Sequence, residues 1–231
     1  MIARDAGATS PWPKLHGMTT LLAFDTATER MSIALSARGA VHAHEAVGGA
    51  QASASLIPAI LSLLRQAGVG LAELDAIAFG RGPGAFTGLR TACSVAQGLA
   101  LGAGKPVLPV DTLLVVAESA REGTHPQRIW VATDARMDEV YAAAYRHDGR
   151  TWQVPHAPAL YDLAALAAQA RRNSALARSA QRGQRLACAA WVAGRGVPAE
   201  RALPVYLRDK VALTTAERAA ARAASGSGSA A

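Results

Sequence analysis

Residues that could do chemistry are sparse in this chain of 231 residues, and they gather in two places. The first is the string GRGPGAFTGLR, residues 80–90, with glycines at 80, 82, 84 and 88. A glycine-rich loop between a strand and a helix lets backbone N–H groups approach an anion at the helix N-terminus. Gly82, Gly84 and Thr87 are the candidate phosphate contacts there. The string is neither a P-loop, since no G-K-[ST] follows, nor a G-x-G-x-x-G. A tight turn with close backbone packing also accounts for the glycines, and on spacing alone it is the favoured reading. The second place is Asp25 with Thr26 and Thr28, at the end of the apolar run LLAFD. A carboxylate beside hydroxyls could hold a metal–phosphate group; a capped hairpin turn is again the plainer alternative.

Elsewhere the chemistry thins out. Six histidines form no H-x-x-x-H or H-E-x-x-H pair, so a zinc peptidase site is unsupported. His42 and His44 fall on one face of a strand, a solvated face rather than a metal site. Cys93 and Cys188 are too few for a disulfide framework and fit no zinc spacing. No serine sits in G-x-S-x-G. The residues give no catalytic constellation and no metal site.

The elements that would position these residues follow from periodicity. Leu21–Asp25, Met31–Ser36 and Ala40–Glu45 predict a meander of three strands. Ser53–Ala67 predicts a helix, with Ser53 or Ser55 as N-cap, Pro58 near the first turn and Gly68 as the stop. Asp75–Phe79 predicts a fourth strand, apolar throughout and so buried on both faces. Thr91–Ala103 predicts a second helix, followed by a strand at Pro106–Val110 and a helix at Asp111–Arg121. No charge lies between Arg90 and Lys105, so this second helix must be covered on more than one side. Strands alternating with helices predict an α/β fold. Leu22–Leu35 and Ile129–Tyr145 share one plan of strand, aspartate, turn and strand, with Asp25 and Asp134 in equivalent places. That echo predicts two similarly folded halves.

Composition narrows the class further. Hydrophobic residues make up 51%, which excludes disorder as the whole answer. No apolar stretch reaches the roughly 18–20 residues needed to span a bilayer, so no membrane role is expected. The net charge of +7 points at first to an acidic partner such as nucleic acid. It is unevenly placed: residues 1–162 sum to −1, while 163–199 hold six arginines (171, 172, 178, 182, 185 and 195) and no acid. That Arg-rich segment predicts a helix, either solvated or facing RNA. Residues 1–17 predict a disordered lead, with Met18 as a candidate start, and 216–231 a flexible tail. With no targeting signal the expected compartment is the cytoplasm, where both cysteines are reduced.

Several strings together carry a family resemblance. LLAFDTATERMSIAL, SLIPAI, DAIAFGRGPGAFTGLRTACSVAQGLALG, DARMDEVY and PVYLRDKVA occur here in that order. The chain resembles the TsaB family, also called YeaZ, over residues 18–150 and again over 203–213. The resemblance implies the actin/Hsp70/sugar-kinase (ASKHA) fold with two related subdomains, 18–110 and 111–215, the second shortened between Gly149 and Pro204. It implies a non-catalytic scaffold and activator that binds TsaD and TsaE. Their complex transfers threonylcarbamoyl to N6 of adenosine 37 in tRNAs reading ANN codons, so tRNA is met mainly through the complex. It implies no tightly bound cofactor, with ATP or ADP met at the partner interface at most. Family members pair with TsaD through the first two helices. The expected seam in this chain is Leu56, Ile60, Leu63, Leu64, Val95 and Leu99, a seam that could also form a homodimer. Glycine is absent from both turns where related ATPases carry it, Thr26–Thr28 and Ala135–Met137, which weakens any phosphate nest. A stand-alone ATP-dependent phosphotransferase and a direct tRNA-binding module through Arg171–Arg185 are the competing readings.

Overall fold

The computed structural model describes residues 19–48, 51–121, 125–162, 165–166, 190 and 193–208. Residues 167–189 of the Arg-rich segment, Met18, the lead and the tail lie outside them.

The first strand, β1 (Leu21–Asp25), is buried along its whole length. It pairs antiparallel with β2 (Arg30–Ala37), which pairs with the edge strand β3 (Ala40–Val47). On its other side β1 runs parallel to β4 (Ala76–Gly80), and β4 runs parallel to β5 (Val107–Val110). The sheet order is therefore β3-β2-β1-β4-β5. Side chains alternate across it. Leu22, Phe24, Met31, Ile33, Leu35, Ile77 and Phe79 face one core, beneath α1 (Ala52–Ala67) and α2 (Phe86–Ala103). Leu21, Ala23, Ala76, Ala78, Leu108 and Val110 face the opposite core. That two-sided burial is why β1, β4 and β5 read as continuous apolar runs.

Both long helices end on a glycine in the left-handed region, Gly68 at φ 63° and Gly104 at φ 65°. Three local expectations need correction. The helix α1 is preceded by Gln51, with no side-chain cap, rather than by Ser53 or Ser55. Pro58 is its seventh residue, on the exposed side, where water can hydrate the carbonyl left without an N–H partner. The helix α2 begins at Phe86, five residues earlier than the sequence suggests, because Gly88 is needed for close packing and does not break the helix.

The helix α3 (Thr112–Ala120) joins the two halves. Its Val115 packs on the first sheet. Leu113, Val116 and Ala117 pack on the second sheet, beside Ile129, Val131, Tyr141 and Tyr145. The second sheet is an antiparallel meander of β6 (Gln127–Arg136), β7 (Glu139–His147) and β8 (Trp152–Asp162). It repeats the β1-β2-β3 plan, and the echo extends to hydrogen bonds. Asp25 Oδ1 accepts the N–H of Ala27 at 2.7 Å, and Asp134 Oδ1 that of Arg136 at 2.8 Å. Asp134 lies within β6 rather than at the turn, which falls at Met137–Asp138. Among the described residues no counterpart of the parallel strands β4 and β5 joins this second sheet.

Residues 193–208 return along the first half. Val197 bridges Val107 at the β5 edge. Ala202 O accepts from Cys93 Sγ and Gln97 Nε2, both at 3.0 Å. Val205 N–H donates to Arg81 O at 2.7 Å. Arg208 then reaches the β6–β7 turn, pairing with Glu139 and donating to Arg136 O at 3.2 Å. This segment therefore ties the glycine-rich loop to the second sheet.

Candidate functional site

Asp25 ends β1 almost fully buried. Its Oδ2 accepts the hydroxyl of Thr112 at 2.7 Å, and that hydroxyl accepts the N–H of Gly82 at 3.2 Å. Burial pushes the Asp25 carboxyl above its ordinary range, because the charged form loses water; the Ala27 N–H and the Thr112 hydroxyl pull it part of the way back. Thr112 is the residue the sequence reading missed. Its only signal was its position as the first helical residue after Asp111.

The glycine-rich loop packs directly on the turn after Asp25. A Cβ on Gly80 would stand 1.9 Å from Asp25 Oδ2. One on Gly84 would stand 2.4 Å from Ala27 O, and one on Gly88 2.0 Å from Thr26 O. Real Cβ contacts do not reach such distances, so the loop backbone lies against the Asp25 carboxylate at Gly80 and against backbone at Gly84 and Gly88. Gly82, at φ 102°, adopts a conformation that side chains disfavour. Three N–H groups of the loop donate to this chain's own atoms. Arg81 donates to Val110 O at 2.9 Å, Gly82 to Thr112 Oγ1, and Ala85 to Ala27 O at 2.7 Å. Thr26 Oγ1 donates to Gly88 O at 2.7 Å. The structure thus brings Asp25, Thr26, Gly82 and Gly84 into one interlocked turn. Thr87 lies apart, exposed on the first turn of α2.

The sheet face below this turn is lined by Ala23, Ser32, Ala34, Ala43, Ala78 and Gly80. The hollow there measures about 30 Å³. That is room for water, against the roughly 300–1,000 Å³ of a small-molecule site. No group of three His, Cys, Asp or Glu residues among the described residues could hold a metal ion. No described helix is long and apolar enough to cross a membrane.

The helix pair is the second candidate surface, and four residues of the expected seam turn inward. Leu56, Ile60, Leu63 and Leu64 are buried in the chain's own core. They form the strongest apolar stripe of α1, and the sheet beneath takes it. Val95 and Leu99 are half-buried against the same core. What faces outward is a sparser row. On α1 it is Ile57 and Leu61, 44% and 39% exposed and one turn apart. On α2 it is Ser94, Gly98 and Gly102, also at four-residue spacing, with Leu101 79% exposed beside them. Among the described residues, no heavy atom beyond the adjoining residues and the helix's own backbone lies within 4 Å of where a Cβ on Gly98 or Gly102 would stand. Backbone is thus open to a neighbouring helix at small residues, the condition for close helix packing.

Comparison with known proteins adds the following. Residues 40–228 match the family model "TsaD: tRNA N6-adenosine threonylcarbamoyltransferase". The tRNA threonylcarbamoyladenosine biosynthesis protein TsaB of Escherichia coli K12 is 34% identical over 226 residues, covering 83% of this chain and 96% of that protein. The TsaB protein of Haemophilus influenzae is 46% identical over 123 residues, covering 53% of this chain and 52% of that one. The structure of YeaZ from Pseudomonas aeruginosa superposes with a TM-score of 0.74 at 39% identity, covering 82% of this chain and 100% of that chain.

Proposed function

The chain belongs to the TsaB family, and from that premise we propose that it is a non-catalytic scaffold and activator in the synthesis of threonylcarbamoyladenosine in tRNA. In this reading it binds TsaD and TsaE. TsaD carries out the transfer of threonylcarbamoyl to N6 of adenosine 37 in tRNAs reading ANN codons. ATP or ADP is met at the partner interface, and no cofactor is held tightly by this chain alone. The work is cytoplasmic.

The observation that carries the partner role is the outward row of α1 and α2. Ile57, Leu61 and Leu101 are apolar and exposed, beside bare backbone at Gly98 and Gly102. Two helices of TsaD laid against it would form a helical bundle, and in their absence a second copy of this chain would take the same place. The non-catalytic role is supported by the turn around Asp25. Its carboxylate and the N–H groups of Arg81, Gly82 and Ala85 are committed to this chain's own atoms, with little room beside the carboxylate. A stand-alone phosphotransferase needs those groups for its nucleotide.

Co-purification with TsaD tests the proposal. The wild-type chain is expected to form a complex, and Ile57→Glu with Leu61→Glu to abolish it while both chains stay folded. A complex unchanged by the double substitution refutes the seam, and the absence of any wild-type complex refutes the role. ATP turnover by the purified chain, absent from an Asp25→Ala control, would refute the non-catalytic reading.

A further inference from the structure

The second sheet has two unlike faces. Its inner face, with Ile129, Val131, Tyr141 and Tyr145, packs on α3. Its outer face carries Arg128 and Trp130 on β6, Arg146 on β7, and Gln153, His156 and Tyr161 on β8. Arg128 and Arg146 are direct cross-strand partners, and both are exposed. Like charges set opposite one another destabilise a sheet. Neither arginine has an ion pair among the described residues. Arg146 donates from Nε to Gln153 Oε1 at 3.0 Å, a neutral acceptor that leaves its charge unbalanced. Next along the strands Trp130 stacks on His156, with ring centroids 5.2 Å apart and planes 25° from parallel. Tyr161 meets the other side of the cluster edge-on at 6.2 Å. The hollow bordered by Arg128, Trp130, Arg146, Pro155 and His156 measures about 260 Å³, and no carboxylate among the described residues lines it.

We propose that this face is a platform for single-stranded RNA, on which bases extend the Trp130–His156 stack and Arg128 and Arg146 hold the flanking phosphates. Aromatic rings beside paired cations are the combination that binds unpaired nucleic acid without sequence preference. An acidic peptide would satisfy the arginines but has no use for a stacked aromatic pair. The chain's own segment 167–189 is the wrong complement, since it carries five arginines and no acid. The choice of RNA over DNA rests on the tRNA role proposed above; the charge and ring geometry stand without it.

Fluorescence anisotropy with the full chain and a labelled, unstructured RNA of about twelve nucleotides tests the platform. Wild-type protein is expected to bind, with affinity falling as salt rises. Arg128→Gln with Arg146→Gln should weaken binding about ten-fold or more and reduce the salt slope by about 1.4, two phosphate contacts' worth. His156→Ala, at an exposed site, should weaken binding about five-fold or more with the slope unchanged, since it removes stacking and no charge. Wild-type protein that binds no RNA, or a double variant that binds as tightly as wild type, overturns the proposal. Displacement of the RNA by poly-glutamate at equal charge also overturns it, and assigns the face to an acidic protein. The double variant should still co-purify with TsaD. Loss of RNA binding with that association intact supports the platform, and RNA binding that fails in wild type while association persists leaves the scaffold role standing.

Discussion

Thr112→Val removes one hydroxyl and keeps the side-chain shape. In the native chain that hydroxyl donates to Asp25 Oδ2 at 2.7 Å and accepts from Gly82 N at 3.2 Å, and Thr112 and Asp25 are both buried. A hydrogen bond to a buried carboxylate contributes about 1.5–3 kcal/mol, and an orphaned buried N–H adds about 1 kcal/mol. The expected loss is therefore about 3 kcal/mol. For a chain of this size it lowers Tm by about 6–12 °C. Thermal and urea unfolding followed by circular dichroism measure it. The pH dependence sharpens the test. Burial already raises the Asp25 carboxyl, and the Thr112 hydroxyl is one of the two groups pulling it down. A raised acid binds more protons folded than unfolded, so its contribution makes stability fall as pH rises from about 3.9 through the raised value. In Thr112→Val that window extends to higher pH. Asp25→Asn abolishes it, and the double variant should show a coupling of about 1–3 kcal/mol. A loss below about 0.5 kcal/mol, or a pH profile identical to wild type, would refute the reasoning.

Other outcomes follow from the same geometry. Gly88→Ala places a methyl 2.0 Å from Thr26 O and should cost at least about 1–3 kcal/mol, read as a lower urea midpoint. Leu56→Ala should cost about 2–5 kcal/mol because Leu56 is wholly buried, while Leu61→Ala, on the outer row, should stay within about 1 kcal/mol in the isolated chain. Equal costs would place the two rows wrongly. The Cys93 thiol is buried, raised by that burial, and donates to Ala202 O. In a Cys188→Ser background it should react with a disulfide reagent only as the chain unfolds, and rapid labelling of native protein would contradict this. Arg208→Ala removes the pairing with Glu139 and the bond to Arg136 O, and it should speed proteolysis at the β6–β7 turn.

Most of the elements were legible in the sequence. Alternation and two-sided burial mark β1 to β5, the glycines at 68 and 104 mark the helix ends, and the repeated aspartate marks the second meander. These follow from local stereochemistry and hydrophobic period, which a single chain carries within a short window. The glycine-rich string was legible as a close backbone approach, but residue types alone cannot say what approaches. A phosphate and a neighbouring turn both require the missing Cβ. The distances from Gly80, Gly84 and Gly88 show the Asp25–Ala27 turn filling that space, and they depend on strands 55 residues apart in sequence meeting in parallel register. The face of α1 left exposed was likewise beyond the sequence. Period gives the most apolar row, Leu56–Ile60–Leu63, and that row is claimed first by the chain's own sheet. The row left exposed is the weaker one, Ile57 and Leu61, visible only once the core has taken its share. Arg128 and Arg146 are 18 residues apart and unremarkable in sequence; they become one site only because the β6–β7 register sets them side by side.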